Sequence, residues 1–198
     1  MRARSLRTLF AAVAVFAAAA CSGSDNPASP SAGARQVPTE SANHSLLFAS
    51  PINVKPLQRT TALATSITVS KNIGILGGTI AIPQAGLTVV VPPLAIASTK
   101  LISVTALAGS NVSYEFAPHG INFTVPLVAT QSLRNTQAAA GGLINPLSLS
   151  LGYFPDSTKQ NAVTELLTLG VDVLNQTSIA TIWHFSGYIW STGRCDDQ

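Results

Sequence analysis

The chain has 198 residues, 46% of them hydrophobic and 10% charged, with two cysteines and three histidines. Arg2, Arg4 and Arg7 precede Cys21 and no acidic residue does, so the formal charge of +3 belongs to that leader and the remainder, with eight basic and eight acidic residues, is neutral. A neutral chain without a Lys or Arg cluster gives nucleic acid nothing to hold. The scattered histidines, with no His-x-x-x-His pair, Cys pair or carboxylate cluster, supply no metal coordination shell. Phosphate-binding glycine loops are absent as well, and no cofactor is expected.

The three arginines are followed by an uncharged run from Leu9 to Ala20 that stops at Ala18-Ala19-Ala20-Cys21. A cationic start, a short apolar middle and small residues before a cleavage point make an export signal, whereas a membrane-spanning helix needs about 20 apolar residues. Residues 1–20 therefore read as a signal peptide. The small residues before Cys21 resemble the lipobox of bacterial lipoproteins, in which the thiol is lipidated and the new amino terminus acylated; Ala18 stands where that pattern more often has leucine. The resemblance implies a membrane attachment through lipidated Cys21, and Ser22 resembles the outer-membrane sorting position of Gram-negative lipoproteins. Ordinary secretion after an Ala-x-Ala site is the competing reading. Lipidation makes Cys195 an incidental tail thiol, while an unmodified Cys21 could bridge to it.

From Cys21 to Thr61 the composition turns to Ser, Ala, Pro, Asn and Gly, most clearly in Asn26-Pro27-Ala28-Ser29-Pro30-Ser31-Ala32-Gly33. Residues 21–61 read as a flexible tether. About 40 such residues span roughly 35 Å root-mean-square, stiffened locally by the prolines. Ser45-Leu46-Leu47-Phe48-Ala49 is too apolar for a pure tether and is expected to dock on the domain that follows.

Residues 62–193 change to an apolar period of two, which places alternate side chains on opposite faces of a strand. Val112, Tyr114 and Phe116 alternate with Ser113 and Glu115, and Leu147, Leu149, Leu151 and Tyr153 alternate with Ser148, Ser150 and Gly152. Each such strand is expected to bury one face. Leu87–Val91, Leu101–Leu107, Leu127–Leu133 and Ile179–Phe185 also read as strands, and residues 161–169 fit an edge strand better than a short helix. Prolines 83, 92, 93, 118, 126, 146 and 155 fall at run ends, where a missing N–H leaves the central ladders intact. The expected fold is all-β: one antiparallel β-sandwich, preceded by the signal peptide and tether and followed by a tail at 194–198.

Three segments carry a family resemblance: Gly77-Gly78-Thr79-Ile80, then Leu87-Thr88-Val89-Val90-Val91-Pro92-Pro93-Leu94-Ala95, then Tyr114-Glu115-Phe116-Ala117-Pro118-His119-Gly120-Ile121-Asn122-Phe123. With a Pro-led strand at Pro126 and a terminal His184-Phe185-Ser186-Gly187-Tyr188, their order resembles the ZU-five domain, the β-sandwich module of ankyrins, netrin receptors and zona-occludens scaffolds. Leu94 departs from it, standing where a small or glycine residue is commoner. Each piece also has a plain backbone reading: Gly77-Gly78 as close approach or positive φ at a strand entry, Pro92-Pro93 as a strand end, Pro118-His119-Gly120 as a turn with an ordinary loop histidine.

Some ZU-five domains cut themselves at the Phe-Ser bond of a His-Phe-Ser motif, and the resemblance gives His184, Phe185 and Ser186 that candidate role. On a continuous strand His184 and Ser186 share a face, so the imidazole could take the hydroxyl proton as Ser186 attacks the Phe185 carbonyl. The competing reading packs Trp183 and Phe185 on one face of the last strand and leaves His184, Ser186 and Gly187 on the other. The leading expectation is a non-enzymatic binding or scaffolding module of a bacterial envelope, lipid-anchored at Cys21, its partner an envelope protein or glycan. Self-cleavage is the alternative. Asp172 is the nearest carboxylate for a general hydrolase, a distant third.

Overall fold

The computed structural model describes residues 50–195. The signal peptide, Cys21, the Ser45–Ala49 patch and most of the tether lie outside them. The described residues form fifteen strands: β1 (Ile52–Pro56), β2 (Gln58–Leu63), β3 (Ile67–Ile73), β4 (Gly78–Ile82), β5 (Leu87–Val91), β6 (Lys100–Ala106), β7 (Gly109–Asn111), β8 (Ser113–Ala117), β9 (Asn122–Ser132), β10 (Ser150–Phe154), β11 (Ala162–Val163), β12 (Glu165–Thr168), β13 (Gly170–Asp172), β14 (Thr177–His184) and β15 (Gly187–Arg194). They build an all-β, sandwich-like domain of curled antiparallel sheets. One sheet has five strands in the order β13-β14-β9-β5-β4, the other eight, and β2 pairs with β7 in a separate two-stranded ribbon.

Alternation accounts for the smaller sheet. Leu87, Val89 and Val91 of β5 and Ala180 and Ile182 of β14 are buried, while Thr88, Val90, Thr181 and Trp183 face outward. Pro126 sits inside β9 rather than at its end, where the register to β14 slips from Ile182↔Leu127 to His184↔Asn122. A bulge tolerates the missing N–H that a regular central ladder would not.

The eight-stranded sheet corrects the one-face expectation. β15 pairs with β10 along one edge and with β8 and then β1 along the other, and β1 in turn pairs with β11. Gly187 to Ser191 are consequently buried throughout. Tyr188 and Trp190 enter the main core between the sheets, whereas Ile189 packs with Val54, Phe154 and Val163 in a second, smaller core. The Leu147–Tyr153 run is likewise split. Pro146–Ser148 makes a 3-10 turn with Leu147 exposed, and β10 begins only at Ser150.

The domain begins earlier than composition indicated. Pro51, Pro56 and the polar Gln58-Arg59-Thr60-Thr61 match the tether's character, yet β1 and the start of β2 occupy residues 52–61, and Val54 and Leu57 are fully buried. At the other end Arg194 belongs to β15, and the Cys195 amide donates to the Asn53 carbonyl at 3.0 Å. Cys195 is disulfide-bonded, which corrects its reading as an incidental thiol.

Candidate functional site

The His184-Phe185-Ser186 segment is where the chain leaves one sheet for the other. β14 ends at His184 in the five-stranded sheet and β15 starts at Gly187 in the eight-stranded one. Because the strand stops, the two-residue alternation does not carry across. Trp183 stays outside at 55% exposure, while Phe185 turns into the core at 3%. Its ring packs edge-on to Phe123 at 4.8 Å and tilted against Phe116 at 5.7 Å, and its amide donates to the Ile121 carbonyl at 3.0 Å.

The structure gives His184 and Ser186 separate partners. The His184 Nδ1 lies 3.3 Å from the Tyr188 hydroxyl, which donates to the His184 carbonyl at 2.8 Å, and its ring meets Tyr153 edge-on at 5.1 Å. The buried Ser186 hydroxyl donates instead to the Phe154 carbonyl at 3.4 Å. No hydrogen bond between the two is present among the described residues, whereas proton transfer needs about 2.6–3.2 Å between heavy atoms. Asp172 is engaged in its own turn, accepting from the Asn175 amide and side chain at 3.0 and 2.6 Å, and those bonds hold its carboxyl below the ordinary range. His119 is exposed at the Pro118–Gly120 corner.

Burial is the largest cause pushing the Tyr188 hydroxyl above the ordinary tyrosine range, with Tyr153 and Glu165 adding to it; burial also raises Tyr114, against the pull of Arg59. A raised folded value means the fold prefers the neutral phenol. Its contribution is complete below the unfolded value of about 10 and is lost as pH climbs from there toward the folded value. The urea midpoint should therefore hold from about pH 7 to 9 and fall above about pH 10, with phenolate absorbance rising as the domain unfolds. A midpoint unchanged at pH 11, with both tyrosines ionised in a folded domain, would contradict this assignment.

A second site lies where β2 runs between β7 and the 133–139 loop. Arg59 bridges to Thr136, the Thr60 amide donates to the Asn135 carbonyl at 2.9 Å, and Gln137 returns a bond to the Gln58 carbonyl at 3.0 Å. Held on both sides, Arg59 is only 7% exposed. Its Nη1 donates to the Asn111 carbonyl, and the guanidinium stands over the Tyr114 ring, 5.5 Å from the centroid. Nε and Nη2 are buried without a hydrogen-bond partner. Buried donors left this way cost about 1–3 kcal/mol, and more when charged.

Arg59 lines a cavity of about 260 Å³ together with Thr61, Gln84, Gln131, Asn135 and Thr136. Its polar neighbours are already satisfied. The Tyr114 hydroxyl shares its proton between the Ala85 carbonyl at 2.9 Å and Gln131 Oε1 at 2.5 Å, and Gln131 Nε2 donates to the carbonyls of Ala85 and Ser132 at 3.0 and 2.8 Å. The Arg59 Nε and Nη2 atoms are enclosed by the protein, and the guanidinium's side-chain companion is Tyr114. The tether-like composition of residues 52–61 hides the Arg59 site in the sequence. The available signal was Leu57 and Arg59 two positions apart, which on a strand puts the arginine on the buried face.

No protein-family model matches the chain, and no curated protein matches it.

Proposed function

We propose that this chain is a non-enzymatic binding module of a bacterial cell envelope, a ZU-five-type sandwich carried on a tether. The observation that carries the binding reading is the cavity of about 260 Å³ beside β2, lined by Arg59 and by hydroxyl and amide side chains among apolar ones. Support for the ZU-five likeness comes from the backbone. Leu94, the residue that departs from the pattern, has a φ of 67°, the left-handed region that glycine enters without strain. Gly77 combines a φ of 72° with a Cβ position only 2.2 Å from the Val91 carbonyl oxygen, so both backbone roles read for it in the sequence coincide.

Thr61 is exposed at the cavity and Thr61→Trp would plug it while leaving Arg59 in place. Retention of the protein on isolated envelope glycan or protein fractions should be lost in that variant; undiminished retention would move the binding surface elsewhere. Anchoring is tested by intact-mass analysis of native protein. A lipid increment on a chain beginning at Cys21 would place the module at the membrane, since two acyl chains already anchor stably. The same sulfur cannot carry a thioether and a disulfide, and the sequence holds no cysteine besides Cys21 and Cys195. An intact Cys21–Cys195 bridge in the native protein would therefore exclude the lipid.

The second reading, self-cleavage, is favoured by one observation: the Phe185–Ser186 bond spans the two sheets with each side held separately. Phe185 donates to Ile121, and the Ser186 carbonyl accepts from Phe116 at 3.0 Å, so a nicked domain would stay together. Ser186 Oγ would attack the Phe185 carbonyl carbon, forming an ester as the peptide C–N bond breaks and the amine takes the proton; water then hydrolyses the ester. The same mass spectrum reports it. A fragment ending at Phe185, absent in Ser186→Ala, is the required result, and a single full-length mass removes the reading.

A further inference from the structure

We infer that the outer face of the five-stranded sheet binds an uncharged glycan chain, a surface separate from the cavity beside β2 and an assignment that goes beyond it. The strands β4, β5, β9 and β14 hold no Asp, Glu, Lys or Arg. The strands of the other sheet carry Lys71, Lys100, Glu115, Glu165 and Arg194. Depletion of charge marks the centre of a binding surface. The register lays this face out in rows across the four strands. One row runs Thr79-Val90-Val128-Thr181. The next runs Ala81-Thr88-Thr130-Ile179, so each strand contributes one hydroxyl and one aliphatic side chain. Trp183, two residues beyond Thr181 on the same side of β14, stands more than half exposed at the border of the patch.

The hydroxyls of this face are uncommitted. Thr88 and Thr130 are direct cross-strand neighbours, yet among the described residues neither they nor Thr79 and Thr181 spend a side-chain hydrogen bond on the protein. On the other sheet the exposed hydroxyls satisfy one another, Thr68 with Thr105 at 2.8 Å and Ser70 with Ser103 at 2.7 Å. The mixture of groups selects the occupant. A bilayer interior would strip water from the four threonines and return no partner. A charged polymer would find no opposite charge on these strands. Four strands about 4.8 Å apart, three outward positions deep, cover roughly 300–400 Å², well under the ~800 Å² that each partner of a stable protein complex contributes. A neutral sugar chain meets every condition. Its hydroxyls exchange hydrogen bonds with the threonines, while the C–H faces of its rings lie on the aliphatic groups and on the Trp183 indole.

The test is isothermal titration calorimetry of the full chain in detergent with cellohexaose, xylohexaose, mannohexaose and chitohexaose, and with oligogalacturonate as the charged control. At least one uncharged hexaose should bind saturably, at least tenfold tighter than oligogalacturonate. Trp183→Ala, and Val90→Lys within the first row, should each weaken that binding at least tenfold. Both replace exposed side chains on different strands, so the test survives if one variant fails to fold. Thr61→Trp, at the cavity, should leave the affinity unchanged. No binding of any uncharged hexaose, equal binding of oligogalacturonate, or undiminished binding by the face variants overturns the inference. So does a dimer that Val90→Lys disperses, which gives the face to a second copy, or co-sedimentation with phosphatidylethanolamine–phosphatidylglycerol vesicles that Trp183→Ala abolishes, which gives it to a bilayer, when either occurs without glycan binding. Loss of hexaose binding in Thr61→Trp alone puts the ligand in the cavity, overturning this inference while upholding the binding-module reading.

Discussion

Gly187→Ala should destabilise the domain by more than about 3 kcal/mol, because the added methyl has nowhere to go. A Cβ there would lie 2.0 Å from Phe154 Cε2 and 2.4 Å from Cδ2, inside the ring's own volume. The ring cannot swing outward cheaply. Phe154 is 1% exposed, packed with Val54, Val163 and Ile189, and Gly187 is fixed on either side by its pairing to Phe154 and Glu115. Either the strands separate or the aromatic leaves its core, and truncating a buried Phe alone costs about 3–5 kcal/mol. Chemical denaturation measures the loss. In a Phe154→Leu background the alanine should cost much less, since the clashing edge is gone; equal cost in both backgrounds would show that the clash is not the cause.

Trp190→Ala should cost about 3–5 kcal/mol, through lost packing and a lost polar contact between the sheets. The side chain is fully buried, meets Tyr114 edge-on at 5.6 Å and donates from Nε1 to the Ser178 hydroxyl at 2.8 Å. Ser178 belongs to β14 and Trp190 to β15, so this bond ties the two sheets across the core. Trp190→Phe separates the contributions. It keeps most of the apolar volume but leaves Ser178 without its donor, and should cost about 1–3 kcal/mol. A denaturation midpoint for the alanine variant within error of wild type would remove Trp190 from the core argument. Because Trp183 is more than half exposed, the blue-shifted part of the emission should vanish in both variants.

The sequence made some of this legible and concealed the rest for identifiable reasons. Leu87–Val91 was readable because its inward residues are apolar and its outward ones include Thr88, the signature of a strand covered on one side. β15 was less so: Tyr188, Ile189 and Trp190 are apolar on successive positions because two cores cover both faces, and period two disappears. The Asn161–Leu169 run did become strand at the sheet's edge, yet broke into β11 and β12 at Thr164, because Val163 pairs to β1 while Glu165–Thr168 pairs to β10. The candidate site divided similarly. Gly77 could be understood from residue type alone, since only glycine tolerates both its φ and its closeness to the Val91 carbonyl. The relation of His184 to Ser186 could not, because it depends on where a strand stops. Arg59 depends on Asn111 and Tyr114, residues 52 and 55 positions away, and no local pattern announces such a meeting.

The pairing of β15 with β1, β8 and β10 sets the order of space against the order of synthesis. A ribosome delivers β1 first and β15 last among the described strands, yet Pro56 has its partner at Ser191 and Val54 at Arg194. Until Gly187 and its successors emerge, β1, β8 and β10 lack the neighbour they share, and Leu57 lacks the Trp190 carbonyl to which its amide donates at 2.8 Å. Contacts so distant along the chain must wait for a large loop to close before they reward it. The eight-stranded sheet is therefore completed from its middle, by the last of the described strands to arrive, and until then the earlier ones wait without the neighbour that unites them.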